Sequence, residues 1–401
     1  MKVLILNAGS SSLKYQLLDM ETKQLLAKGL IERIAIEGSH IKQTVGDKVY
    51  EATAPMKNHT IGIQWMLKAL TDAEKGALTS MDEIVAVGHR VLHGGERFTG
   101  SVLVTEDVKD AIRENIPLGP LHNPANLMGI EACEQVMPKT PNVAVFDTAF
   151  HQTMPKKAYL YGVPMEYYYK LHVRRYGFHG TSHRYVSKRA CEFLGLDHNN
   201  SRIITCHLGN GSSLAAVVNG KCVDTSMGIT PLEGVLMGTR SGNLDPAVVQ
   251  YIANNEQMSV DEVLSLLNKK SGLLGVSELS SDMRDIDDAC DNGHAGAIIA
   301  RDILVWGIRK YIGAYAAAMN GVDAIVFTAG IGENNHNLRA MVMQGFEFLG
   351  AKLDPEKNMT RSEAIISTDD STLKVCVIPT NEELVIANDT VAIIQGRPIS
   401  D

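Results

Sequence analysis

The chain has 401 residues, 45% of them hydrophobic and 21% charged, with a formal net charge of −8. That length suits two domains with sizeable cores, and the acidic balance leaves no basic footprint for nucleic acid or an acidic membrane surface. Six cysteines (Cys133, Cys191, Cys206, Cys222, Cys290 and Cys376) lie far apart with no C-x-x-C pair. They read as reduced thiols of a cytoplasmic protein, not as disulfides or metal ligands.

A lysine and a short apolar run precede Asn7, too little for a signal peptide or a membrane span. Val3–Leu6 reads as a buried strand; Asn7, Gly9 and three serines then demand a turn. Leu13, Tyr15 and Leu17 alternate with Lys14, Gln16 and Leu18, so a second strand follows. The hairpin tip is either a solvated loop or an anion-binding nest of N–H groups and hydroxyls.

Further strands are expected at Glu83–Val87, Asn142–Phe146, Ile203–His207, Ala324–Thr328 and Val375–Ile378. Helices are expected at Ile61–Leu70, Ser182–Leu194, Asp245–Asn254, Val260–Lys269 and from Gly296 to about Met319. The mixture argues for an α/β fold. Met154-Pro155 and Val163-Pro164 are plausible boundary material. "VLILNAGSSSLKYQLLDMETK" from Val3 is echoed by "IITCHLGNGSSLAAVVNGK" from Ile203. A duplicated core would place two polar loops across a cleft between domains.

No Walker motif, H-E-x-x-H or G-x-S-x-G occurs. "DIDDACDNG", Asp285–Gly293, puts Ala289 where a calcium loop needs an oxygen, so it reads as a solvated acidic segment. "CHLGNGSSL" offers a second Gly/Ser turn. "VFTAGIGENN" offers a third: a strand, then Gly330, Gly332, Glu333 and Asn334, then a helix. Three such turns after apolar strands suggest nucleotide phosphates held by backbone.

Arg90 in "VGHRVLHGGE" and Arg240 in "GTRSGNLDP" are either surface ion pairs or clamps on carboxylate or phosphate. Asp147 ends a strand in "VFDTAFH", as a cap or a functional carboxylate. His179 and His183 in "YGFHGTSH" read as loop histidines, since Gly180 and Thr181 argue against a helix there, with His179 the more exposed. Glu382 and Glu383 follow the strand at Val375–Ile378, as helix-start acids or as a magnesium carboxylate.

"NAGSSSLK", "GHRVLHGG", "PLHNP", "FDTAFH", "YGFHGTSH", "CHLGNGSS", "TPLEG", "MGTRSG", "FTAGIGEN" and "PTNEE" resemble, in order and across the chain, the acetate kinase family. The resemblance implies two duplicated ribonuclease-H-like α/β domains, as in the acetate and sugar kinases, chaperone ATPases and actin. It implies an N-terminal domain of residues 1–149 plus 384–401 and a nucleotide-binding and dimerisation domain of 150–383. The implied reaction is reversible phosphoryl transfer from ATP to acetate, giving acetyl phosphate and ADP, with Mg2+ or Mn2+, in a cytoplasmic homodimer.

Carried onto matching positions, Arg90, Asp147, His179 and Arg240 resemble catalytic residues, and Asn7 and Glu382 the metal site. Ser10, Ser12 and Lys14 resemble the phosphate-facing loop. His207, Leu208, Gly209, Asn210 and Gly211, then Asp282, Met283 and Arg284, then Gly330, Ile331, Gly332, Glu333 and Asn334 resemble ATP-contacting segments. Leu92, Leu121, Phe178 and Pro231 resemble the pocket for the acetate methyl. Leu92 stands where acetate-preferring members often carry Val, which should narrow the pocket; Met283 stands where an aromatic often meets adenine. The rival readings are propionate or butyrate kinase, a sugar kinase, and a non-enzymatic ATPase module.

Overall fold

The computed structural model describes residues 1–399. These form two mixed sheets and two compact units, unit 1 being Met1–Gln152 with the chain from Asn381 onward, unit 2 Thr153–Thr380.

In unit 1, β1 (Lys2–Ala8), β2 (Ser12–Asp19), β3 (Gln24–Glu32), β4 (His40–Val45) and β5 (Lys48–Thr53) form an antiparallel meander. Beyond β1 lie β6 (Ile84–Val91), β7 (Val102–Leu103) and β8 (Asn142–Phe146), in the order β5-β4-β3-β2-β1-β6-β8-β7. β6 pairs parallel with β1 and β8 parallel with β6, while β7 closes the edge antiparallel. Strand alternation sorts the core. Val3 and Ile5 pack with Ile386, Ala387 and Val391 of the helix Glu382–Ile394. Leu4 and Leu6 face the other way, onto Ile63, Met66 and Leu67 of the helix His59–Leu70 and Ala132 and Cys133 of the helix Asn123–Val136.

Unit 2 holds β9 (Arg202–Leu208), β10 (Ser212–Val218), β11 (Lys221–Thr225), β12 (Ala324–Thr328), β13 (Ala364–Ile365) and β14 (Lys374–Val377), ordered β11-β10-β9-β12-β14-β13. β9, β10 and β11 are antiparallel, and β12 and β14 continue parallel to β9. The pattern β3-β2-β1-β6-β8 thus recurs as β11-β10-β9-β12-β14. The sequence echo is a repeated fold, although the turns differ. Residues 9–12 separate the paired ends of the first hairpin and residues 209–211 those of the second. β8 and β12 are buried along their whole length, as parallel strands covered on both faces must be.

Two local expectations are corrected. Residues 330–334 are not a glycine loop before a helix: Ala329 turns the chain with φ +63° and the helix Ala329–Asn334 follows β12 at once. The acidic segment from Asp285 keeps Asp285, Asp288 and Asp291 exposed, as read, on a helix, Met283–Asp291, whose Ile286 and Cys290 bury an apolar stripe. The helix expected from Ser182 begins two residues earlier, as Gly180–Leu194, so His183 lies in its first turn and not in a loop, since Thr181, Ser182 and His183 are buried against its neighbours and override the weak propensity of Gly180 and Thr181.

Candidate active site

In unit 1 the chemistry gathers at the carboxyl ends of parallel strands, where open α/β sheets place their ligands. β1, β6 and β8 run in one direction and deliver Asn7, Arg90 and Asp147. Asp147 is fully buried. Arg90 Nε and Nη2 donate to its two oxygens at 3.0 and 2.8 Å, a bidentate pair. The Asp147 charge raises the Arg90 pKa, keeping the guanidinium ionised.

Glu382, the first residue of the helix Glu382–Ile394, places Oε2 3.9 Å from Arg90 Nη2. That oxygen is buried and accepts no hydrogen bond. Burial pushes the Glu382 carboxyl up to about 6; Arg90 pulls it down, and Asp147 and Glu383 push it up. A buried oxygen with no donor is suited to a hard cation. Among the described residues no three His, Cys, Asp or Glu side chains form a metal cluster. An ion here would have few protein ligands, which suits magnesium, an ion that keeps waters and takes substrate phosphates.

The first turn is held from outside. Gly9 N–H donates to Ser12 O (2.8 Å), and His59 Nε2 donates to Gly9 O (2.8 Å). Asn126 accepts from Leu92 N–H (3.0 Å) and donates to Ala8 O (2.9 Å), tying the ends of β6 and β1 together. Asn123 does the same for His93 through both its backbone groups. Leu92 is buried, whereas Leu121 is exposed. Ser10 is exposed in the turn, Ser12 begins β2, and Lys14 shares with Asn7 and Glu383 a cleft of about 440 Å³ on the open sheet face.

In unit 2 the group centres on His179, whose φ of +56° is unusual for a non-glycine residue. It precedes the helix Gly180–Leu194, and its ring stacks on His207 with centroids 4.1 Å apart. A Cβ at Gly211 would meet Arg240 Nη1 at 3.4 Å and His179 Nε2 at 3.5 Å, so both groups face the space over the second turn. Arg240 donates to Pro231 O (3.1 Å) and, among the described residues, has no carboxylate partner. Burial lowers its pKa. A partly buried cation left without a counter-ion is a ready seat for an anion.

The remaining segments are held as follows. Gly238 N–H donates to Asn210 O (3.0 Å), docking the turn against the arginine loop. Leu208 is buried at the end of β9, before Gly209. Asp282 caps the helix Met283–Asp291 and is chelated by Arg284, which holds its carboxyl down at about 2. Met283 is buried in the unit 2 core, packed with Ile286. Phe178 is buried and Pro231 partly so. A Cβ at Gly330 would meet open space, while Gly332 lies against β9 and Ile331 packs on the core. Asn334 Nδ2 donates to Gly330 O, and Glu333 Oε1 accepts from Thr380 N–H (3.1 Å).

Several organising residues escaped sequence reasoning. Arg339 is fully buried and spends all five N–H groups on Gly332 O, Glu333 O, Asn358 Oδ1, Asn358 O and Thr360 O. Arg175 joins Glu233 (2.6 Å) and Asp224 (3.3 Å), bracing the loop that leads to Arg240. Gln, Asn and Arg in such roles carry no local sequence signal; only their buried partners reveal them. Asn123, inside the quoted "PLHNP", was the one visible hint.

Known proteins resemble this chain over nearly its whole length. Residues 2–388 match the model of the acetokinase family. The chain is 58% identical to an acetate kinase of Helicobacter hepaticus, over 98% of this chain and 99% of that one. A crystal structure of Porphyromonas gingivalis acetate kinase superposes with a TM-score of 0.95 at 49% identity, covering 98% of this chain and 99% of the other. A propionate kinase from Francisella tularensis gives 0.91 at 41% identity, covering 99% and 100%. The chain belongs to the acetokinase family.

Proposed function

We propose that this chain transfers the terminal phosphoryl group of ATP to acetate by direct in-line displacement, giving acetyl phosphate and ADP reversibly. The observation that carries this reading is Arg240: a partly buried cation without a carboxylate, sharing the space over Gly211 with His179 Nε2. Within unit 1 a guanidinium, Arg90, is fixed in charge and direction by Asp147.

Acetate, with a reference pKa between about 4 and 5 like other carboxylic acids, is already ionised at neutral pH and needs no strong base. The barrier is the approach of one anion to another. Arg90 and Arg240 supply positive charge, and His179 a hydrogen bond, where charge develops on the phosphoryl oxygens. Arg90 donates to both Asp147 oxygens, so Asp147 acts as the group that orients Arg90. Mg2+ held by Glu382 and Asn7 would neutralise phosphate charge when bound; Mn2+ is the alternative hard ion. Leu92, buried beside Gly119, narrows the acyl pocket by a carbon relative to Val, worth about 1–3 kcal/mol against longer acids.

The reading includes a homodimer built through unit 2. Ile299, Ile303 and Trp306 form an exposed apolar stripe on the helix Ala295–Ala318, and light scattering of Trp306→Glu tests it. The cytoplasmic assignment is supported by six buried cysteines, none in a disulfide; no helix among the described residues is long and apolar enough to cross a membrane. Trapping acyl phosphate with hydroxylamine, with ATP, Mg2+ and acetate, propionate or butyrate, tests the reaction. Acetate should give the highest kcat/KM; a preference for propionate would move the reading to its nearest rival, and no acyl phosphate from any acid would end it.

A further inference from the structure

One face of the β9–β10 hairpin carries three polar side chains, Thr205, His207 and Ser213, under the helix Gly180–Leu194. Thr205, Ser213 and His183 are fully buried. His183 Nδ1 lies 2.7 Å from Thr205 Oγ1, and His183 Nε2 lies 2.8 Å from Ser213 Oγ. Ser213 Oγ is also 2.9 Å from His179 Nδ1. Thr205 Oγ1 has one other partner, Ala215 O, at 3.5 Å.

Counting protons gives this chain a direction. A hydroxyl has one proton, and a neutral imidazole has one N–H and one lone pair. Suppose His183 carries its proton on Nδ1. It then donates to Thr205, and the Thr205 proton is left with an acceptor at 3.5 Å, beyond the useful range for O–H donors. An orphaned buried donor gives up its hydrogen bond to water and gains none in return. In the reverse order Thr205 donates to His183 Nδ1, His183 Nε2–H donates to Ser213, and Ser213 donates to His179 Nδ1. Every buried group is then satisfied, and the last N–H emerges on His179 Nε2, over Gly211.

We infer that Thr205, His183 and Ser213 are positioning residues that hold His179 as the Nε2–H tautomer. The functional part rests on the reading of His179 as a phosphoryl-facing group. A donor at Nε2 attracts a phosphoryl oxygen without adding a charge, whereas a lone pair there repels it. Thr205 acts at a remove, since its hydroxyl bonds His183 and not His179.

Nitrogen-15 NMR of the full chain labelled on histidine tests the relay without substrate, with His179 assigned by the signal lost in His179→Gln. The parent should show a protonated Nε2 and an unprotonated Nδ1 at His179. Thr205→Val should shift that ring toward a mixture of tautomers and lower kcat by about tenfold, with the KM for acetate within about twofold. Thr205→Ser should restore both. A protonated Nδ1 at His179 in the parent overturns the inference. So does an unchanged His179 spectrum in folded Thr205→Val, even if turnover falls. A shifted spectrum with unchanged turnover upholds the relay and instead removes His179 from the chemistry.

Discussion

Alanine at position 272 would strike the arginine loop without altering any group that meets substrate. Gly272 has φ +67°, where an L-residue is strained by roughly 1–2 kcal/mol. Its Cβ would stand 2.1 Å from Met237 O and 2.9 Å from both N and O of Arg240. These are backbone atoms, and the loop is already sewn to this segment. Ser271 N–H donates to Thr239 O (3.0 Å), Leu273 N–H to Met237 O (2.8 Å) and Leu274 N–H to Gly238 O (3.0 Å). A carbon–oxygen contact relaxes at about 3.4 Å, so Met237 O must retreat by about 1.3 Å. Misplacing a catalytic group by about 1 Å can cost on the order of 100-fold. Gly272→Ala should therefore lower kcat about 100-fold and stability by roughly 2–4 kcal/mol, measured as acetyl phosphate formation and as urea unfolding. Gly293→Ala is the matched control: φ is +76°, but its Cβ would meet nothing within 4 Å, so turnover should stay at the parent level. Gly272→Ala turning over within threefold of the parent would refute the claim that this glycine sets the position of Arg240.

Arg90→Ala and Arg240→Ala should each lower turnover at least about 100-fold. They should differ in stability: Arg90→Ala strands the buried Asp147 and costs about 3–5 kcal/mol, while Arg240→Ala removes an unpaired cation and leaves the melting temperature near that of the parent. Near-parent turnover in both would exclude them from the reaction. His89 is fully buried and shares a hydrogen bond with Asn142 Oδ1 (2.7 Å), and burial lowers its pKa from the usual 6.5 to about 4. Between those values the unfolded chain binds the proton and the folded chain does not. The His89 contribution to stability should therefore fall as pH drops below about 6.5, by about 2 kcal/mol at pH 5. Urea unfolding at pH 7 and pH 5 should show the parent losing about 2 kcal/mol more than His89→Gln over that range. Arg339→Met takes the arginine donors from five acceptors, three of them in buried bonds, and should cost at least about 3 kcal/mol, with a raised KM for ATP, since Gly332 and Glu333 lose their anchor; an unchanged KM would detach that segment from the nucleotide.

What the sequence determined by itself was local and apolar. β8 and β12 announced themselves as short unbroken apolar runs, because a strand covered on both faces has no polar side to show. The two hairpins were legible from Gly and Ser between apolar strands, and their echo foretold the repeated strand order. Arg90, Arg240 and Asp147 were noticeable as charges placed beside strands and glycines, with motif resemblance supplying their roles. Tertiary structure decided the rest. β3 to β5 carry mixed polar faces with weak periodicity, and they become strands because β2 offers an edge and Tyr15 packs over Gly29 to reach Gln43. Residues 330–334 become a helix with Arg339, six and seven residues later, taking up the Glu333 and Gly332 carbonyls. His183 is drawn into a hydroxyl chain by partners 22 and 30 residues away. The division has one cause. Apolar burial is written in the spacing of neighbouring residues, but a buried polar group is stable only with a partner, and the partner is chosen by the fold.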